Sequence, residues 1–434
     1  MRLERQTLTL LAEALDRLEA GFETLPDFEP QLPAMQAVLN EAAERLHDNY
    51  PYFHPLYAGQ MLKPPHPVAR AAYALATWIN PNNHALDGGK ASSAMEREAV
   101  AEIAAMFGWR EHLGHLTGGG TMANLEALWV AGQLQPGKRI VASDQSHYTH
   151  ERISGVLKLP FSKCATDTRG RMDIAALEQL AERGDVGCVV ATMGTTGLGA
   201  VDPLPEILRL RDKYGFRVHA DAAYGGYFTL VSGLFDRIGE ADSIVIDPHK
   251  HGLQPYGCGC VLFRDPAAGE LYKHDSPFTY FSSKELHLGE ISLECSRPGA
   301  SAVALWATQR LLPLVKGGEF AASLASSLRA AADFAKRLKA DPRFLVPLTP
   351  ELDIVVYAWR ARTASEASAA SQAIFDAAAK QDLHLALIRL PVTMFPDLAA
   401  DQEYVLCLRS VLMKPEHEQW VEEIYNRLIK AAVT

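Results

Sequence analysis

Between residues 139 and 263 the chain repeats one pattern: a short apolar run, a turn, a helical stretch, then another apolar run. The runs predict strands over 139–143, 187–193, 217–222, 243–247 and 257–263, and the 3.6-residue periodicity predicts helices over 121–133, 172–183 and 203–214. Strands that alternate with helices re-enter one sheet in the same direction. The pattern therefore requires an α/β fold, a mostly parallel sheet with helices on both faces. The run at 257–263 follows its predecessor too closely for a helical crossover, which makes it antiparallel to its neighbour. Open sheets of this kind bind ligands outside the carboxyl ends of their strands. The residues just after each run are therefore the ones to inspect.

On either side of this unit the texture changes. Leu3, Leu8, Leu11, Leu15, Leu18 and Phe22 recur at helical spacing, and a second helix is expected over 33–47. Such an arm cannot bury its apolar stripe alone, so it packs on the main body or on a second subunit. Residues 49–67, NYPYFHPLYAGQMLKPPHP, carry too much proline for a regular element. Helices follow over 68–78 and 91–107. Beyond a small-residue helix at 299–315, helical stretches at 321–340, 365–381 and 416–430 alternate with strands at 353–359, 384–391 and 404–412. The expected organisation is an arm and pocket segment (1–67), a large domain (68–315) and a small α+β domain (316–434).

The 434 residues leave room for such units, and 48% hydrophobic with 22% charged residues is the balance of a globular enzyme. A net charge of -10 without a basic run argues against nucleic acid as a partner. The six cysteines form no CxxC pair and no zinc-ligand spacing, so no metal is expected and a reducing, cytoplasmic setting fits. No stretch reaches the roughly 20 apolar residues of a membrane span, and the start, with Arg2, Glu4 and Arg5, does not read as a signal peptide.

Chemistry-bearing residues gather after the predicted strands. SIVIDPHK, residues 243–250, is an apolar strand stopped by Asp247-Pro248, which delivers His249 and Lys250 to the sheet edge. Desolvation there would favour the neutral amine of Lys250, the form that attacks a carbonyl carbon. HLTGGGTMANL, residues 115–125, runs three glycines into a helix; Gly119 and Gly120 let backbone approach an anion, and Thr121 can cap the helix or donate to a phosphate. It lacks the GK[ST] ending of a nucleoside-triphosphate loop. RVHADAAY places Asp221 at a strand end, where a buried carboxylate can keep a heterocyclic nitrogen protonated. His147, in SDQSHYTHER, follows another strand and offers a flat ring for stacking, and ATMGTTGLGAVD supplies hydroxyls after a further one. A phosphate cradle, a stacking ring, an anionic partner for a ring nitrogen and a Schiff-base lysine are what pyridoxal 5'-phosphate (PLP) needs.

With HADAAYGG and DPHK as its strongest motifs, the chain resembles the group II PLP-dependent amino-acid decarboxylases from about Tyr50 to Arg409. The resemblance implies a fold type I large domain and a homodimer with the active site between subunits. It implies that Lys250 holds the cofactor, that Asp221 pairs with the pyridinium nitrogen, and that Ala223 and His147 pack on the two ring faces. Gly120 and Thr121 match phosphate-loop positions, Thr196 a cofactor-site threonine, and His249 the histidine before the lysine. Asp247 stands where many relatives have Asn. The catalytic-loop tyrosine falls in SPFTYFSSKE, residues 276–285, with Tyr280 expected in that role and Phe278 the alternative; Phe there would go with oxidative, aldehyde-forming chemistry. Substrate contacts are expected from Tyr52, His54, Tyr57, Gln60 and Arg409, and Arg297 is a loop-supporting candidate. The expected reaction is decarboxylation of an L-amino acid to the amine and carbon dioxide. The alternatives are a PLP-dependent aldehyde synthase, carbon–carbon lyase or aminotransferase, or a non-catalytic nucleotide-binding protein.

Overall fold

The computed structural model describes residues 5–22, 31–273 and 286–433. Its large sheet has seven strands: β1 (Leu113–Thr117), β2 (Arg139–Ser143), β3 (Phe161–Cys164), β4 (Val186–Thr192), β5 (Arg217–Asp221), β6 (Ser243–Ile246) and β7 (Gly259–Phe263), in the order β1-β7-β6-β5-β4-β2-β3. β7 runs antiparallel to both β1 and β6, while β2, β3, β4, β5 and β6 pair in parallel. The antiparallel step predicted for 257–263 is thus present, beginning two residues later because Gly257 adopts φ +88°.

All seven residues of β4 are buried, as a central strand covered on both faces requires. The helix Gly120–Leu134 lies across one face. Ala123, Ala127 and Val130 pack with Val245, Val261 and Phe263, and Leu128 and Ala131 with Ile140, Cys188 and Val190. Its small residues let the helix sit close to the sheet, and that closeness sets where its N-terminus emerges.

Two strands and two helices depart from the sequence expectation. β1 contains Gly114 and His115, so its apolar signal is weak, and β3 is a short edge strand with only Cys164 buried. The helix Thr149–Val156 has only eight residues, too few for a visible period. The helix expected over 91–107 begins earlier, at Leu86, and bends at Gly89.

The second sheet has the order β10-β11-β9-β8, formed by β8 (Phe344–Leu345), β9 (Ile354–Trp359), β10 (Ala386–Pro391) and β11 (Tyr404–Val411), all antiparallel. The helices Glu319–Ala340, Ala364–Ala379 and His417–Val433 bury apolar stripes beside it, and Phe334, Ile374, Ile424 and Leu428 share one core. The helices Arg5–Glu19 and Leu32–Leu46 bury no residue in this chain, and Leu8, Leu39 and Leu46 are among their exposed side chains. No helix among the described residues is long and apolar enough to cross a membrane.

Candidate active site

Because β1 is parallel to β6 through the intervening antiparallel β7, six strands, β1 to β6, end at the same sheet edge. A cavity of about 580 Å³ opens there. Its lining includes Gly119, Gly120, Thr121, His147, Thr196, Asp221, Ala223, Asp247, His249 and Lys250. Residues separated by up to 131 positions of sequence therefore meet around one space. The lining also takes in residues that the sequence reading did not single out, among them Asn124, Thr149, Thr192, Tyr224, Tyr256 and Glu294.

The glycine turn leads from β1 into the helix Gly120–Leu134. Gly119 has φ +148°, a conformation that disfavours a side chain, and no side chain caps the helix. An uncapped N-terminus of a fifteen-residue helix presents backbone N–H groups and a partial positive charge to the cavity. A Cβ on Gly120 would meet the Asp247 carboxylate at 2.6 Å. Behind the turn, Arg297 is buried and donates to Glu96 Oε1 (2.8 Å) and to the Leu116 carbonyl (2.6 Å). It thereby anchors the end of β1, a supporting place consistent with its sequence context. Glu294 accepts the Gly118 N–H at 3.0 Å.

Asp221, at the end of β5, is 5% exposed. Burial by itself would raise its carboxyl. The hydrogen bond from His150 Nε2 (2.7 Å), with nearby positive charge, overrides this and holds the group well below the usual carboxylate range. Its other oxygen accepts the Ala223 N–H at 3.2 Å. His147 projects from the turn after β2 and accepts or donates through Nδ1 to Thr149 Oγ1 at 2.7 Å; burial lowers its proton affinity.

Lys250 corrects one expectation. Its ammonium does not sit in an apolar sleeve: Nζ lies 3.0 Å from Asp247 Oδ2, and the side chain is 23% exposed. The amine stands in an ion pair with Asp247, so the apolar strand is not its only neighbour. His249 Nδ1 donates to the Cys258 carbonyl (2.8 Å), its Nε2 lies 3.6 Å from Asp247 Oδ2, and its ring rests 4.9 Å from that of Tyr256.

Other expected contacts lie elsewhere. Tyr52, His54, Tyr57, Gln60 and Arg409 are not in the cavity lining. Tyr57 is buried beside His384, His54 stacks edge-on to Trp420, Tyr52 packs on Tyr57, and Gln60 is exposed. The Arg409 guanidinium is buried and donates to three carbonyls, those of Thr196 (2.7 Å), Gly197 (3.1 Å) and Gly59 (3.3 Å). Tyr280 and Phe278 lie outside the described residues.

The donor set suits PLP. An uncapped helix end faces the cavity for a phosphate, and a buried ionised carboxylate faces it for a ring nitrogen. The side-chain oxygens Thr192 Oγ1 and Asp247 Oδ1 have no hydrogen-bond partner among the described residues, so the lining holds polar capacity for a polar guest. A sheet edge with an amine, a ring-nitrogen partner and an anion cradle on this topology defines a fold type I PLP enzyme.

Comparison with known proteins narrows the class. Residues 30–360 match the family described as the pyridoxal-dependent decarboxylase conserved domain. The chain is 28% identical over 430 aligned positions to an L-tyrosine decarboxylase of Enterococcus faecium, covering 74% of this chain and 70% of that protein. It is also 28% identical over 334 positions to an L-aspartate decarboxylase of Thermococcus kodakarensis, covering 74% and 84%. The fold is shared with the crystal structure of Oryza sativa TDC with PLP and tryptamine, at a TM-score of 0.79 and 18% identity, over 99% of this chain and 96% of that one. The chain belongs to the pyridoxal-dependent decarboxylase family: it is a PLP-dependent amino-acid decarboxylase.

Proposed function

We propose that the enzyme decarboxylates an aromatic L-amino acid, with Lys250, Asp221 and His147 at the centre of the site. The observation that carries the substrate class is Arg409. Its guanidinium is spent on three backbone carbonyls, so the arginine expected among the substrate contacts, which could have paired with an acidic side chain, is committed elsewhere. Tyr256 meanwhile presents an exposed ring at the cavity wall, and apolar Met122 and Leu125 line the same cavity. The names of relatives include both tyrosine and aspartate decarboxylases, so the choice rests on the cavity.

When bound, PLP supplies an electron sink for the pair of electrons released as the carboxyl group departs. Lys250 is the residue that would join it covalently, and Asp247 fixes where that amine stands. The N–H groups at Gly120 and Thr121 would hold the phosphate, Thr196 and His249 would be further cofactor contacts, and Ala223 and His147 would cover the two ring faces. Asp221, ionised at working pH, would keep the ring nitrogen protonated, and electrostatic preorganisation of this kind is the largest catalytic contribution in most enzymes. A proton must then reach the substrate α-carbon. His147 is available at the cavity for this, and Tyr280 is the second candidate.

We further propose a homodimer. The unburied apolar faces of Arg5–Glu19 and Leu32–Leu46 need a partner, and a second copy would also give the 50–60 segment, with Tyr52, His54, Tyr57 and Gln60, a cavity other than its own to complete. The division at 1–67, 68–315 and 316–434 remains the proposed domain plan. Carbon dioxide and amine release from Tyr, Phe, Trp, Glu and Asp tests the substrate class. Turnover of Glu or Asp above that of every aromatic substrate would overturn it. Peroxide with aldehyde in place of amine would move the enzyme to the aldehyde synthases.

A further inference from the structure

We propose that His150 is the positioning residue for Asp221, a buried imidazole that donates its Nε2–H to the carboxylate and keeps it ionised toward the cavity. This rests on the reading of Asp221 as the partner of the cofactor's ring nitrogen. His150 is fully buried in the first turn of the helix Thr149–Val156, 71 positions from Asp221 in sequence, and its Nε2 stands 2.7 Å from Asp221 Oδ2.

Its second nitrogen fixes the direction of that bond. Nδ1 has no hydrogen-bond partner among the described residues, so a proton there would be a buried donor without an acceptor. The proton belongs on Nε2, and Asp221 accepts it. No neighbour can take over the task. His219 shares the face of β5 with Asp221, but its Nε2 is engaged with Asn124 Oδ1 (2.8 Å) and its Nδ1 with Ser243 Oγ (2.9 Å). The Ala223 N–H reaches only the other oxygen, at 3.2 Å. Lys250 is held by Asp247.

Taking away the His150 donor leaves a buried carboxylate with one long backbone hydrogen bond. Burial then favours the neutral acid. The proton that should rest on the cofactor's ring nitrogen would rest on Asp221, and the electron sink would weaken although no cavity residue had changed.

The test compares the holoenzyme with His150→Phe, His150→Gln, Asp221→Asn and the double variant Asp221→Asn/His150→Phe. Three quantities are read: PLP affinity of the cofactor-free protein, the visible spectrum of bound PLP, and kcat and KM. His150→Phe should lose on the order of 10–100-fold in kcat with little change in KM, the usual scale for residues that orient a catalytic group. It should also bind PLP more weakly and with an altered visible band. His150→Gln, whose amide N–H can still donate, should recover much of both. The double variant should be no worse than Asp221→Asn alone, because His150 acts through that carboxylate. Losses that multiply in the double variant would overturn the proposal. So would a His150→Phe protein that melts lower when free of cofactor yet binds PLP with wild-type affinity and spectrum. If Asp221→Asn itself left spectrum and kcat unchanged, the reading of Asp221 would fail, and the role of His150 with it. An impaired Asp221→Asn beside a normal His150→Phe would sink the second alone.

Discussion

Substituting Gly120 by alanine separates the cofactor cradle from the stability of the fold. The added methyl would lie 2.6 Å from Asp247 Oδ2 and 2.9 Å from Oδ1, against the 3.4 Å at which ordinary contact begins. Asp247 is buried, so it must retreat by several tenths of an ångström, and its Oδ2 is the atom that holds Lys250 Nζ at 3.0 Å. Overpacking of this kind costs about 1–3 kcal/mol. Gly120 is the first residue of its helix, so the roughly 1 kcal/mol that alanine gains over glycine in a helix interior is not counted against it. The cofactor-free protein should therefore lose no more than about 3 kcal/mol. Loss of the close backbone approach and displacement of Lys250 act only on the bound state. PLP affinity should fall by at least tenfold, or about 1.4 kcal/mol. The assay is a PLP titration of cofactor-free protein, with urea denaturation of the same sample. An affinity within twofold of the parent would refute the placing of Gly120 at the cradle. A stability loss much above the range would show that the helix end, and not the cradle, depends on this glycine.

Two further variants test other parts of the account. Arg409→Met leaves the carbonyls of Gly59, Thr196 and Gly197 without their donor; only Gly59 is buried away from water, so at about 1–3 kcal/mol for a buried unsatisfied group the variant should lose about 1–3 kcal/mol in urea unfolding. Intact stability with a rise in KM confined to acidic substrates would return this arginine to substrate binding. Lys414→Met addresses pH: burial, with Lys63 nearby, pushes the Lys414 ammonium down to about 7, so between pH 7 and roughly 10.4 the unfolded chain binds more protons and stability rises with pH. The stability it contributes is present at high pH and is lost as pH falls through 7. The variant should show a flatter rise in melting temperature from pH 7 to 9, with part of the slope kept by Lys63, which burial lowers to about 8. Parallel curves for parent and variant would refute the assignment.

Much of this architecture was legible from residue order because local rules and the global fold agree. The apolar runs at β2, β4, β5 and β6 are bounded by turns, and each delivers a polar residue to the sheet edge. Strand direction alone then gathers Gly120, His147, Asp221 and Lys250. What escaped has no local signature. β1 is interrupted by glycine and histidine, and β3 is a partly exposed edge. His150 is the second histidine in SDQSHYTHER, and only its long-range hydrogen bond to Asp221, 71 positions away, gives it a role. Arg409 misled for the opposite reason: its sequence context resembles that of an active-site arginine, but the distances that commit it to Gly59, Thr196 and Gly197 are long-range facts. The apolar environment expected for Lys250 failed similarly, since Asp247, three residues away, turns its carboxylate toward the amine.

The most direct measurement is borohydride reduction of the PLP-loaded enzyme followed by peptide mass spectrometry. The account predicts one pyridoxyl-modified residue, Lys250, with bleaching of the visible band and loss of activity in step. A stable label on any other lysine, or a reduced enzyme without a label, would contradict it.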